Sequence, residues 1–320
     1  MHLSVVEPIE QAVERVKLIL FRPFAWDKWF ILGFCAFLAY LGEGGGYSGG
    51  GGNTFDGSNG NFRSSFDPVA EWIRTHVALV IVLAVMVFLV FLVLGLVLTW
   101  VRSRGKFMFL DGVARNRAAV VEPWNEFGRQ GNSLFLFSVG FGLVAAGVAL
   151  VVVGAGLALA WPDIRAERFG PGVMVALLVG VPLLLAEALV CAIISVLLED
   201  FVVPAMYLRR QRVLEAWGTV RREVLPGNLG TIILYFLMKI VLAVGVGFIA
   251  IVVTCLTCCL AALPYLGSVI LLPLLVFRRS YSLCFLAQFG PGWRCFSEPL
   301  APPLPPPFAA PPPAVLPPLV

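Results

Sequence analysis

Pro204–Ile240, PAMYLRRQRVLEAWGTVRREVLPGNLGTIILYFLMKI, is the stretch that decides the fold. Its first half is basic and amphipathic. Met206, Val213, Ala216, Val220 and Val224 recur at helical spacing while Arg209, Arg210, Arg212, Arg221 and Arg222 take other positions, the pattern of a helix lying in a membrane surface. Pro226, Gly227 and Gly230 then break it. From Thr231 roughly 25 residues follow in which Lys239 is the only charge, enough at about 1.5 Å each to cross a hydrocarbon layer about 30 Å thick.

The rest of the chain repeats this unit. Of 320 residues, 59% are hydrophobic and 13% charged, too little polar surface to cover a soluble core of this size. The fold class implied is all-α: a polytopic helical membrane protein with about six spans, near 24–41, 77–101, 134–161, 173–198, 231–255 and 263–277, arranged as three hairpins joined by cytoplasmic amphipathic elbow helices. Residues 1–28 read as an N-terminal interfacial segment, in which Ser4 and Glu7 form a capping-box pattern and Val6, Ile9, Val13, Val16 and Leu20 make one apolar stripe. With mixed charges ahead of the first apolar run and no A-x-A site, this segment is expected to be retained. Residues 29–298 form the membrane domain, and 299–320, half proline, are expected to be a disordered, polyproline-like tail.

A second elbow is expected over Phe107–Ser133, with Phe107, Leu110, Val113, Val121, Trp124 and Phe127 facing lipid. The external loop at 42–66 is glycine-rich, including GGGYSGGGG, but no Lys-Ser/Thr pair leads from it into a helix. It is a flexible linker and not a phosphate cradle.

Lysine and arginine fix the orientation, because topology follows the basic residues of the loops. They number 4 before the first span, then 2, 6, 2, 5, 0 and 3 through the successive connections and the end of the chain, so one side collects 18 and the other 4. Both termini and the large elbows are therefore expected in the cytoplasm, and the protein in the cell (plasma) membrane. Trp26, Trp124 and Trp217, each between an amphipathic segment and a span, mark the repeat.

VKLILFRPFAWDKWFILGFCAFLAYLGEGGG at 16–46 and RRSYSLCFLAQFGP at 278–291 resemble a family of uncharacterised bacterial and archaeal polytopic membrane proteins. More loosely, the alternation of basic elbows with hairpins is similar to the membrane domain fused to some glycerophosphodiester phosphodiesterases. That resemblance implies a helical membrane architecture and carries no activity, since phosphodiesterase chemistry would reside in a separate soluble domain.

Catalytic groups are scarce. His2 and His76 are the only histidines, and HExxH, GxSxG and paired carboxylates on an elbow are all missing from the sequence. No catalytic residue, metal ligand set or cofactor is assigned, an enzyme is not expected, and nucleic acid binding has no footprint. The seven cysteines, Cys255, Cys258 and Cys259 among them, read as packing thiols. Anionic headgroups are the expected partners of Arg102, Arg104, Lys106, Arg209, Arg210 and Arg212, each worth about 1 kcal/mol beside a charged leaflet. A membrane protein partner is the other expected ligand. Glu187 and Lys239 lie at matching depth in consecutive spans, which suggests an intramembrane ion pair or, as the alternative function, a small-solute transport site. The first reading is a non-catalytic protein that organises lipid or a partner through its elbows.

The charge pattern predicts that a reporter active only in the cytoplasm works when fused after Arg129, Arg212 or Arg294 and fails at Gly50. A working fusion at Gly50 overturns the assigned orientation.

Overall fold

A computed structural model describes residues 3–41, 75–166, 168–257, 260 and 263–296. The glycine-rich loop, Cys258, Cys259 and the proline tail lie outside the described residues. Among the described residues every regular element is helical: α1 (Glu7–Val16), α2 (Trp26–Ala39), α3 (Val77–Ala114), α4 (Val121–Glu126), α5 (Gly128–Arg165), α6 (Pro171–Leu197), α7 (Val203–Arg209), α8 (Val213–Glu223), α9 (Leu229–Leu256), α10 (Pro264–Ile270) and α11 (Leu272–Ala287). A π-helical turn at Leu198–Val202 joins α6 to α7, so that Pro171–Arg209 forms one continuous rod.

Four helices are long and apolar enough to cross a membrane: α3, α5, the α6–α7 rod and α9. In their most apolar stretches none of α3 or the α6–α7 rod is buried, and only 6% of α5 and 11% of α9. The core therefore lies elsewhere. It gathers at one end, where Phe107, Met108 and Leu110 of α3 meet Val202, Ala205 and Met206 of the rod and Leu283, Phe285 and Leu286 of α11. Long apolar helices, mostly exposed along their apolar stretches, and a packed, charged collar make up the architecture.

The elbows belong to this collar. Met206, Val213, Ala216, Val220 and Val224 are all buried, and so are Phe107, Leu110, Val113 and Phe127. Apolar faces read from the sequence as lying on lipid thus pack against the chain itself, and only Val121 stays fully outward. Helical spacing reveals that a face is buried but not what buries it. The basic segment also breaks in two, because Arg210 adopts φ 55° and turns the chain between α7 and α8. α1 behaves differently: Ala12 and Arg15 face inward while Val6 and Val13 of its predicted stripe stay exposed.

Two expected spans depart from the sequence reading. α2 has 14 residues, about 21 Å of helix, short of a bilayer crossing. It runs antiparallel to the far end of α3. The Lys28 ammonium bonds Asn116 Oδ1 at 2.6 Å, Leu32 lies over Gly112, and the backbone at Leu38 and Ala39 lies over Gly105. Val77 stands a further 28 residues, about 42 Å, beyond Gly105, so the stretch 24–41 flanks the buried end of α3 and not its apolar length. The stretch 263–277 divides at Leu271, where Pro273 in the first turn of α11 removes a backbone donor and starts a new helix. α10 rests on α2, held by Trp29 Nε1 donating to the Val269 carbonyl at 2.8 Å.

The two ends of the described chain close the collar. Ser4 N–H donates to Gln288 Oε1 at 2.8 Å, Gln288 Nε2 returns a bond to the Ser4 carbonyl at 2.9 Å, and Tyr281 donates to the Val5 carbonyl at 3.2 Å. At the opposite end of α5 and α6, buried Asp163 accepts the Gly172 and Val173 N–H groups at 2.7 and 3.2 Å, satisfying donors at the start of α6.

A Cβ at Gly105 meets the α2 backbone at 2.6 and 2.7 Å, whereas one at Gly95 of the same helix meets nothing within 4 Å. Gly105→Ala is therefore expected to lower stability by about 1–3 kcal/mol through overpacking, and Gly95→Ala to be neutral or mildly stabilising. Thermal unfolding of both variants in one detergent checks this, and equal melting temperatures refute the α2–α3 contact.

Candidate functional site

The π turn gives the collar its chemistry. An ordinary α-turn advances successive side chains by 100°, and the wider turn at Leu198–Val202 helps aim the adjacent carboxylates of Glu199 and Asp200 at different partners. Glu199 Oε2 lies 3.4 Å from the Lys106 ammonium of α3, and its backbone carbonyl accepts Arg279 Nη1 at 2.8 Å. Asp200 is buried, accepts the Tyr235 hydroxyl at 2.9 Å and forms an ion pair with Lys239. Tyr40, Arg278 and Arg279 complete the lining of a narrow space around these acids.

A second knot ties α3 to the α7–α8 turn. Asp111 is fully buried and takes Arg117 Nε at 2.8 Å, Arg115 Nε at 3.2 Å and the Tyr207 hydroxyl at 2.9 Å. Three positive or polar partners offset the cost of burying that carboxylate. Glu126 pairs with Arg210 and lies 3.4 Å from Arg115; the Arg210 guanidinium bonded to it holds its carboxyl below the ordinary glutamate range.

The six basic candidates read from the sequence therefore separate. Arg104 lies against both Trp100 and Trp124, 4.6 and 4.9 Å from their rings, and bonds Asn132 Oδ1 at 3.1 Å. Arg209 forms a two-point pair with Glu223 and covers the Trp293 ring at 5.0 Å. Arg210 pairs with Glu126 and lies 4.2 Å from the centre of the Phe127 ring. These three are ties within the protein. Arg212 precedes α8 with an exposed side chain. Arg102 and Lys106 alone of the six line a cavity of about 180 Å³ between α3, α5 and α6, together with Ser138, Ser195 and Glu199.

Lys239 meets Asp200 and not Glu187. The expected pairing is corrected on this point: Glu187 is half-buried on α6, 12 residues before Glu199 and about 18 Å up the helix, and it has no hydrogen bond or ion pair with any described residue. The fourth span as read from the sequence ends at Leu198, one residue short of Glu199 and Asp200. Their position between the apolar runs AIISVLL and FVVPAMYL was the available clue, since acids flanked by apolar residues on both sides need a buried partner. Among the described residues no cluster of three His, Cys, Asp or Glu side chains could hold a metal ion. Burial pushes the Cys284 and Cys295 thiols up to about 12, which keeps them protonated and unreactive.

Among the described residues, an all-helical fold with four potential membrane-crossing helices on a charged collar defines the class of protein. Within it, this chain belongs to the family of unknown function DUF7544, whose family model matches residues 3–290. No curated protein and no solved structure matches it.

Asp200→Asn and Lys239→Met are each expected to destabilise the protein by roughly 3 kcal/mol, because each strands a buried charge, and the double variant to recover much of the loss. Glu187→Gln is expected to be neutral and to couple to Lys239→Met by less than about 0.5 kcal/mol. Double-mutant cycles measure both, and strong coupling at Glu187 refutes the Asp200 assignment.

Proposed function

We propose that this is a non-catalytic, multi-pass cell-membrane protein that organises lipid or a partner protein around its long apolar helices, with the charged collar at the cytoplasmic face. The observation that carries this is the contrast between a closely packed collar and four long helices in whose most apolar stretches at most 11% of the residues are buried. Such helices take their apolar contacts from lipid or from another protein. The excess of basic residues, 18 against 4, falls on the collar side and supports a cytoplasmic collar.

Support for six passages comes from chain continuity. Ser4 and Gln288 meet at the collar, while α3 starts and α9 ends far from it, so the chain travels between the two ends twice besides the four long helices. α1 lies along the collar with Val6 and Val13 outward, as an interfacial helix does. Arg212, Arg221 and Arg222 remain exposed there for contact with anionic headgroups. A transporter reading is less well supported, because Lys239 is committed to Asp200 and Glu187 stands apart from it.

Purification in mild detergent, followed by mass spectrometry of the retained lipids and proteins, tests the reading. Phospholipid or a stoichiometric partner should remain bound and raise Tm on re-addition, as any ligand of the native state does. A bare protein whose melting is indifferent to lipid overturns it.

A further inference from the structure

We propose that the cavity between α3, α5 and α6 is a phosphodiester site that holds the headgroup of an anionic phospholipid; this rests on the lipid-organising reading above. Arg102 and Lys106 stand four residues apart on one face of α3, and both line the cavity. Across from them are Ser138 of α5 and Ser195 of α6, whose hydroxyls bond no described residue. Two cations and two available hydroxyl donors converge on one space, the donor set a phosphate takes.

Charge points the same way. Glu199 is the only acid lining this cavity, and in the adjoining space Asp200 stands among Lys239, Arg278 and Arg279. Five cations surround two carboxylates. A partly enclosed excess of positive charge attracts an anion more strongly than an open surface does. At about 180 Å³ the cavity is below the roughly 300 Å³ at which pockets for drug-sized molecules begin, so it fits a headgroup and not a large solute. Its position selects a lipid. Thr99 lies at its wall where the exposed apolar length of α3 ends, and Leu134 and Phe141 of α5 line it as well, leaving acyl chains a path along both helices.

The test uses the full chain in phosphatidylcholine nanodiscs with increasing phosphatidylglycerol, and native mass spectrometry to count retained anionic lipid. Wild type should retain phosphatidylglycerol in preference to phosphatidylcholine. Arg102→Gln should reduce that preference roughly fivefold, the equivalent of about 1 kcal/mol for one basic residue. Ser138→Leu, which fills the cavity without changing its charge, should abolish it, and Ser195→Leu on the exposed side of α6 serves if Ser138→Leu does not fold. Lys17→Gln, at an exposed basic residue just after α1 that is paired with Glu14, should leave the preference within twofold. An unchanged preference in folded Arg102→Gln and in the cavity-filling variant overturns the site, and so does an equal loss in Lys17→Gln, which indicates diffuse surface attraction. Displacement of the lipid by inorganic phosphate or glycerol phosphate at comparable concentration assigns the cavity to a water-soluble phosphate and overturns the lipid assignment. Retained lipid that ignores the cavity variants rejects this site alone, whereas a wild-type protein that retains neither lipid nor partner rejects the broader reading.

Discussion

The pair between Asp200 and Lys239 is the constraint on which the collar depends. A carboxylate with 4% of its surface exposed is costly to bury and stays charged only beside a partner. That partner comes from α9, while the neighbouring Glu199 takes Lys106 from α3 and its carbonyl takes Arg279 from α11. Two consecutive residues thereby fix the mutual positions of four helices. Aromatic rings fill the space immediately below: Tyr235 stacks on Tyr281 and Phe285, with centroids 5.5 and 4.4 Å apart, and Phe201 meets Phe285 edge to face. Polar pairing sets the register, and ring packing supplies the area.

The collar and the apolar lengths obey different physics. In water the collar gains from removing Phe, Met and Leu side chains from solvent. Within a bilayer no such drive exists between helices, since lipid tails are as apolar as leucine. This explains how α3 can be wholly buried over Phe107–Ala114 and open over Val77–Val97 within one unbroken helix. Only α5 and α6 stay together along their apolar lengths, where Gly156 faces Ala176 and the Asp163 cap clamps their far ends.

Much of this was legible in the residues. The apolar runs at 77–101, 134–161, 173–198 and 231–255 each fall inside a long helix, because 20 or more residues with at most one charge among them admit few alternatives. The helix ends were less so: α3 continues to Ala114 through Arg102, Arg104 and Lys106, since nothing in RSRGKFMFLDGVA breaks a helix. The offset of α2 was invisible, because hairpin reasoning assumes that neighbouring helices start level, and only the contacts at Gly105 and Gly112 reveal the shift. Of the six basic candidates, Arg102 and Lys106 line the cavity between α3, α5 and α6, a distinction that charge and position along the chain do not carry. The Glu187 pairing failed because one-dimensional depth cannot show that a π turn directs Asp200 inward.

The clasp between Ser4 and Gln288 joins residues 284 apart in sequence. A ribosome adding about 5–20 residues per second takes roughly 14–57 s to make that interval. Throughout it the inward face of α1, with Ala12 and Arg15, has no α11 to rest on, while the long apolar helices are already emerging. Assembly therefore has an order imposed by connectivity: contacts among the helices made earlier can form first, and the ring that joins α1 to α11 closes only once α11 has been made.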